Sequence, residues 1–317
     1  MLQPFSTIPF SNQFLFDPQI SINSGQMFLW EKFDNSWYGI YGNNILKFST
    51  PTVNNDDSSN NNNNNNNVEF FSFPEIKEWE KQVFRLDDDI EKIIAGFSND
   101  IVVSEAIRKY PGLRLMRQQP HQCMFSFVCA SNTNIVMIRR MLKNLSRKFG
   151  VKVIIDGKEF FTFPTVDSLN KANINELLSC GIGYRAKAIK AVAESIASGK
   201  LDIKELTHAS YNDAKEQLLK VYGIGNKIAD CILLFSLEKL ESFPIDVWIA
   251  RALSSYYGWL FSENANKEKK EKKMDDKITF KQYNILSEAI RNYFGKYSGY
   301  AQQFLYYYMR QNASKKW

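Results

Sequence analysis

Residues 219–253 read LKVYGIGNKIADCILLFSLEKLESFPIDVWIARAL and hold a lysine and an aspartate 19 positions apart, Lys227 and Asp246. A lysine amine is a poor nucleophile at neutral pH, because its ordinary pKa is about 10.4. In the first turn of a helix the positive end of the dipole disfavours the ammonium, and partial burial acts in the same direction. A lysine so placed can attack carbon and form a Schiff base. The simpler alternative is a lysine that only binds phosphate. Asp246 stands between Phe243-Pro244-Ile245 and a new helical pattern over 247–257, where aspartate is a strong N-cap. That position also favours its ionised form. Alone, Asp246 reads as a cap. Paired with a lysine nucleophile, it suits cleavage of a glycosidic bond, whose oxocarbenium-like state a nearby carboxylate stabilises.

The elements around this pair must bring it together. Gly223-Ile224-Gly225 ends one helical run and precedes another that begins near Lys227. Glycines permit positive φ and close approach of a partner to the backbone. The second helix points its free N–H groups at the hairpin, which makes a phosphate site. This is the pattern of a helix–hairpin–helix, here over 211–240, which grips DNA backbone without reading sequence. On the glycines alone, an ordinary capped connection between helices fits equally.

The rest of the chain divides in two. Strands are expected at 26–31, 37–41, 45–49 and 68–73, separated by the turn chemistries Asp34-Asn35 and Gly42-Asn43-Asn44. Residues 53–67, ending in eight consecutive asparagines, cannot bury apolar surface and are expected to be a disordered loop. From about Glu75 the apolar spacing turns helical, first at Ile90, Ile93 and Ile94, then at Val103, Ala106 and Ile107. A buried apolar segment is expected at 124–129 and an amphipathic basic helix at 135–149. Further helices are expected at 173–180, 184–198, 211–222, 227–240, 247–258, 279–294 and 299–311. The Lys/Glu run at 263–277 reads as solvated. The fold class is therefore α+β: an N-terminal antiparallel-sheet domain at 1–100, packed on a mostly helical domain at 101–317.

Composition narrows the function. With 317 residues and 44% hydrophobic content the chain is globular, and no apolar run reaches the ~18 residues of a membrane span. The net charge of +6 hides a gradient, from 6 basic and 14 acidic residues in 1–100 to 34 and 20 in the remainder. A basic body suits a polyanionic partner, of which nucleic acid is the commonest. Cys123, Cys129, Cys180 and Cys231 have no zinc spacing and read as free thiols in a reducing compartment. His121 and His208 stand far apart and read as surface or second-layer residues. No metal or other cofactor is expected.

Residues 24–30, SGQMFLW, resemble a strand of the eukaryotic-type 8-oxoguanine DNA glycosylases, within the helix–hairpin–helix DNA glycosylase superfamily. Residues 112–120 (GLRLMRQQP), 123–135 (CMFSFVCASNTNI), 180–186 (CGIGYRA) and 299–302 (GYAQ) resemble further blocks of that family. The resemblance spans the chain apart from the asparagine tract and the Lys/Glu run. It implies a bifunctional glycosylase/lyase that acts on double-stranded DNA containing 8-oxoguanine, as a monomer, in base excision repair. Lys227 would attack C1′ and expel the base, leaving an imine that permits β-elimination. Asp246 would stabilise the charged intermediate. The target nucleotide must leave the stack. Gly25 would offer its carbonyl to the N7–H that marks 8-oxoguanine, and Gln302 would read the Watson–Crick edge. Cys231 and Tyr306 would pack on the two faces of the base. Asn132 and Tyr184 would fill the gap in the duplex, and Arg185 would bond the widowed cytosine.

Two departures stand out. Where the family usually has an arginine that reads the opposite cytosine, this chain has Met137, which predicts relaxed opposite-base preference; a bidentate contact is worth about 1–3 kcal/mol. Where many members have a phosphate-contacting histidine, it has Trp248, which neither titrates nor carries charge. No cysteine follows Cys231, so the iron–sulfur loop of other superfamily members is excluded. Two other functions compete: a monofunctional alkylbase glycosylase, disfavoured by Lys227, Gly25 and Gln302, and a DNA-binding module without chemistry. The substrate favours the nucleus. The N-terminus, without a basic residue before Lys32, gives mitochondrial import no support.

Overall fold

The computed structural model describes residues 6–9, 16–49, 67–264 and 278–313 of the chain. Strand β1 (Ser6–Pro9) precedes a short helix α1 (Pro18–Asn23), whose N-cap Asp17 accepts from the Ile20 amide at 2.9 Å. Strands β2 (Trp30–Phe33), β3 (Ser36–Tyr41) and β4 (Asn44–Ser49) form a meander, and β5 (Asn67–Phe73) returns beside β4. The sheet is antiparallel in the order β1-β5-β4-β3-β2. Both expected turns form, with Asp34 at φ 51° and Gly42 at φ 59°. Gly39 is required by its cross-strand neighbour, since a Cβ there would stand 2.4 Å from the Trp30 indole.

The strand expected at 26–31 begins only at Trp30. The residues before it form other bonds: the Gln26 amide side chain donates to the Arg114 carbonyl at 2.8 Å and accepts from the Met116 amide at 2.7 Å. The loop expected at 53–67 lies outside the described residues except for Asn67, which opens β5 opposite Pro9 instead of belonging to the loop. The Lys/Glu run lies almost wholly outside them too.

Helices follow: α2 (Trp79–Val83), α3 (Ile90–Ala95), α4 (Ile101–Lys109), α5 (Pro120–Cys129) and α6 (Ile135–Phe149). A hairpin of β6 (Lys152–Ile155) and β7 (Lys158–Phe161) turns at Asp156-Gly157, both at positive φ, as a two-residue hairpin requires. It docks on the sheet through the Asp156 carboxylate, which accepts from Tyr38 Oη at 2.7 Å and Lys47 Nζ at 2.8 Å. Then come α7 (Val166–Lys171), α8 (Ile174–Leu178), α9 (Ala186–Ala197), α10 (Ile203–His208), α11 (Tyr211–Leu219), α12 (Asn226–Ser236), α13 (Val247–Tyr256), α14 (Phe280–Phe294) and α15 (Ser298–Ala313). The architecture is α+β, a small antiparallel sheet with a mostly helical body.

Aromatic side chains, among them Trp30, Phe48, Phe70, Trp79 and Phe84, fill the core of the sheet. A larger apolar core joins the helices, and α12 runs through it. A helix that is hydrophobic nearly all round belongs at the centre of a body. In α12 every residue is buried except Lys227. Among the described residues, no helix is long and apolar enough to cross a membrane.

Candidate active site

The site is built around the start of α12. Helix α11 is capped by Ser210, whose hydroxyl accepts from the Asp213 amide at 3.2 Å. The hairpin at 220–225 then reverses the chain. Its two glycines differ. Gly223 sits at φ 90°, and a Cβ there would stand 2.2 Å from the Ala188 Cβ on α9. Gly225 is extended at φ −96° as the N-cap of α12, and a Cβ there would meet nothing within 4 Å. The hairpin thus closes against α9 at Gly223 and stays open at Gly225, beside the free N–H groups that begin α12.

A cavity of about 920 Å³ opens in front of this helix end. It brings together nine of the expected site residues: Gly25, Asn132, Gly225, Lys227, Cys231, Asp246, Trp248, Gln302 and Tyr306. Lys227 enters it from α12 with its amine 5.4 Å from the centroid of Phe127. Asp246 enters from the N-cap of α13, where its carboxylate accepts from the Ile249 amide at 2.9 Å. Burial raises the pKa of this carboxylate, and the Ile249 amide and the positive charge of Lys227 oppose that rise. The Cys231 thiol, one turn beyond Lys227, is pushed up by burial to about 12, so it is a neutral, apolar wall. Tyr306 is likewise raised to about 12, first by burial and then by the charge of Asp246.

Gln302 is buried on α15. Its Nε2 donates to the Pro244 carbonyl at 3.1 Å, whereas its Oε1 is buried without a partner. Gly25, at φ 82°, faces Tyr306, whose hydroxyl would lie 2.9 Å from a Cβ at that position. The other three expected residues lie outside the cavity. Tyr184 and Arg185 form a ledge beside it, with the Arg185 guanidinium 4.5 Å from the Tyr184 ring. Tyr184 Oη donates to the Ser131 carbonyl at 3.3 Å, and Arg185 to those of Ser131 and Asn132, the latter at 3.4 Å. The ledge thus holds the loop that presents exposed Asn132 at φ 45°. Gly223 is the third, turned toward α9. Met137 is exposed in the first turn of α6.

Other cavity residues were not singled out in the sequence. Phe127 backs the lysine amine, Tyr283 comes from α14, and Asn226 holds a buried side-chain oxygen without a partner. Arg310 continues the cavity face of α15, four residues beyond Tyr306 and eight beyond Gln302. That spacing was the available signal. Its guanidinium donates to the Asn23 carbonyl at 3.3 Å and lies beside Gly25.

Residues 8–124 match the family model of the 8-oxoguanine DNA glycosylase N-terminal domain, and residues 125–279 that of HhH-GPD superfamily base excision DNA repair proteins. A probable N-glycosylase/DNA lyase of Methanothermobacter thermautotrophicus is 30% identical over 238 residues, 68% of this chain and 76% of the relative. The chain belongs to the 8-oxoguanine DNA glycosylase family. An N-glycosylase/DNA lyase of Saccharomyces cerevisiae is 32% identical to this glycosylase-family chain over 242 residues, 70% of the chain and 64% of the yeast protein. Among solved structures, the 8-oxoguanine glycosylase/lyase of Clostridium acetobutylicum, in complex with double-stranded DNA carrying cytosine opposite 8-oxoguanine, superposes with a TM-score of 0.78. It is 28% identical, with 94% of this chain and 93% of that one covered.

Proposed function

We propose that the protein excises 8-oxoguanine from duplex DNA and cleaves the strand at the resulting site. The carrying observation is that α12, buried at every residue but Lys227, turns that half-buried lysine into a cavity shared with Asp246 and Gln302. The Lys227 amine attacks C1′ of the extruded nucleotide, and the N-glycosidic bond breaks with its electron pair leaving on the base. Loss of a proton from the amine and opening of the sugar give an imine; removal of a C2′ proton then expels the 3′ phosphate. The Asp246 carboxylate stabilises the positive charge that develops at C1′. Gly25 and Gln302 read the base edge between Cys231 and Tyr306. Gly223, Gly225 and Trp248 serve the backbone of the damaged strand, and Asn132, Tyr184 and Arg185 the gap and the opposite base.

Met137 supports a relaxed preference for the base opposite the lesion. The further proposals are a monomer working in the nucleus and a domain division at about residue 100. Borohydride trapping on 8-oxoguanine duplexes tests the reading. Wild type is expected to give a covalent protein–DNA adduct, and Lys227→Gln none, with excision reduced by about 1,000-fold or more. Base release without an adduct would make the enzyme monofunctional. DNA binding without release would leave only a binding module.

A further inference from the structure

Three residues beyond Lys227, α12 carries a carboxylate of its own. Asp230 is completely buried. It accepts from Tyr211 Oη at 2.6 Å, Tyr283 Oη at 2.7 Å, Lys215 Nζ at 3.0 Å and Ser242 Oγ at 3.3 Å. Three full donors, and a share of the Ser242 proton whose shorter bond goes to the Asp230 carbonyl at 2.9 Å, meet the roughly four lone-pair positions that a carboxylate offers. A group so completely satisfied in a dry interior is a rigid anchor, and it belongs to the helix that carries Lys227.

The segment before Asp246 has few bonds of its own. Pro244 has no N–H, and its carbonyl is taken by Gln302. The Ile245 amide, adjacent to Asp246, donates to Tyr283 Oη at 3.0 Å. The same hydroxyl donates to Asp230. The Tyr283 ring forms part of the cavity wall, yet its hydroxyl points into this buried junction.

We propose that Tyr283 is a positioning residue, whose hydroxyl ties the backbone next to Asp246 to the Asp230 anchor on the lysine helix and so sets the placement of Lys227 and Asp246 relative to each other. The role rests on the chemistry proposed above for those two groups. Small misplacement of reacting groups is costly in rate and leaves substrate affinity largely alone.

The test is single-turnover excision on an 8-oxoguanine duplex by Tyr283→Phe and Tyr211→Phe, with borohydride trapping used to count competent molecules. Both changes withdraw one hydroxyl from Asp230, but only the first frees the Ile245 amide. Tyr283→Phe is expected to lower the rate constant per trappable enzyme at least tenfold, with DNA affinity within twofold of wild type. Tyr211→Phe is expected to stay within threefold in rate. Equal losses in both variants, or a Tyr283→Phe change confined to the trappable fraction, would reduce the network to structural support and overturn the proposal. A wild type that forms no adduct on this duplex would overturn the functional reading, and the positioning role with it.

Discussion

On the side of α12 turned toward α11 and α14, the buried carboxylate of Asp230 is met in full. It receives three full donors and a share of the Ser242 proton, and Lys215, whose pKa burial lowers against the pull of Asp230, is held between that carboxylate and Tyr211. The side turned toward the cavity is different. Gln302 Oε1 and Asn226 Oδ1 are buried without partners, and Asp246 keeps a carboxylate whose ionised form burial disfavours. A buried acceptor left unpaired costs about 1–3 kcal/mol. On α12 itself, the unpaired acceptor lies on the cavity face, at Asn226. The closed face anchors the helix, and the open face holds buried acceptors that, on the proposed function, are left for the substrate.

The largest effect expected from this contrast concerns Asp246. Asparagine caps a helix about as well as aspartate, so Asp246→Asn keeps the Ile249 bond and removes only the charge. Excision is expected to fall by about 100-fold or more. The sign of the stability change is opposite. Because the folded state raises this pKa, it binds more protons than the unfolded chain above the ordinary carboxylate range, and stability falls as pH rises through that window. Asp246→Asn escapes the penalty, so it is expected to melt no lower than wild type at pH 7, with the difference shrinking as pH falls. Melting curves at pH 5 and pH 7 beside single-turnover rates check this. An Asn variant that melts lower and keeps its activity would move Asp246 to the closed side.

Regular, long elements were legible in the sequence; junctions between distant segments were not. Helix α6 occupies 135–149 as expected, because its apolar stripe runs for four turns between Asn134, which caps it, and Gly150. Helices α1, α7 and α10 are six residues long, too short to show a period, and were not expected. The β6–β7 hairpin was readable from Asp156-Gly157 between two apolar runs, and was missed. At the site, nine of the twelve motif positions line one cavity. Tyr283 could not be found that way, since its partner Asp230 lies 53 residues earlier and only the packing of α14 on α12 joins them.

Met137 tests the open side at its rim. It stands exposed in the first turn of α6, near the loop held by the Tyr184–Arg185 ledge. Met137→Arg adds a planar fork of donors at an exposed position. It is expected to raise the preference for cytosine opposite the lesion about tenfold, the discrimination of one bidentate contact. Excision rates on duplexes with each of the four opposite bases measure it. A wild type already strict for cytosine would show that another group has taken the arginine's place.

The smallest effect on activity comes from the hairpin, where two glycines two positions apart in the motif repeat the contrast of the two faces. Gly223→Ala puts a methyl into Ala188 and an L side chain at φ 90°, so it is expected to destabilise the fold by about 1–3 kcal/mol. Gly225→Ala meets open space at an ordinary φ. The entropy it removes from the unfolded chain, about 0.4–1 kcal/mol, offsets alanine's weaker capping, so its melting temperature stays near that of wild type. Its methyl would instead stand where a phosphate approaches the free amides of α12, weakening DNA binding a few-fold with the excision step unchanged. Melting temperature and DNA affinity should therefore separate the two variants. If Gly225→Ala lost stability and kept its affinity, the hairpin would be closed on both sides, and the phosphate would have to be held elsewhere.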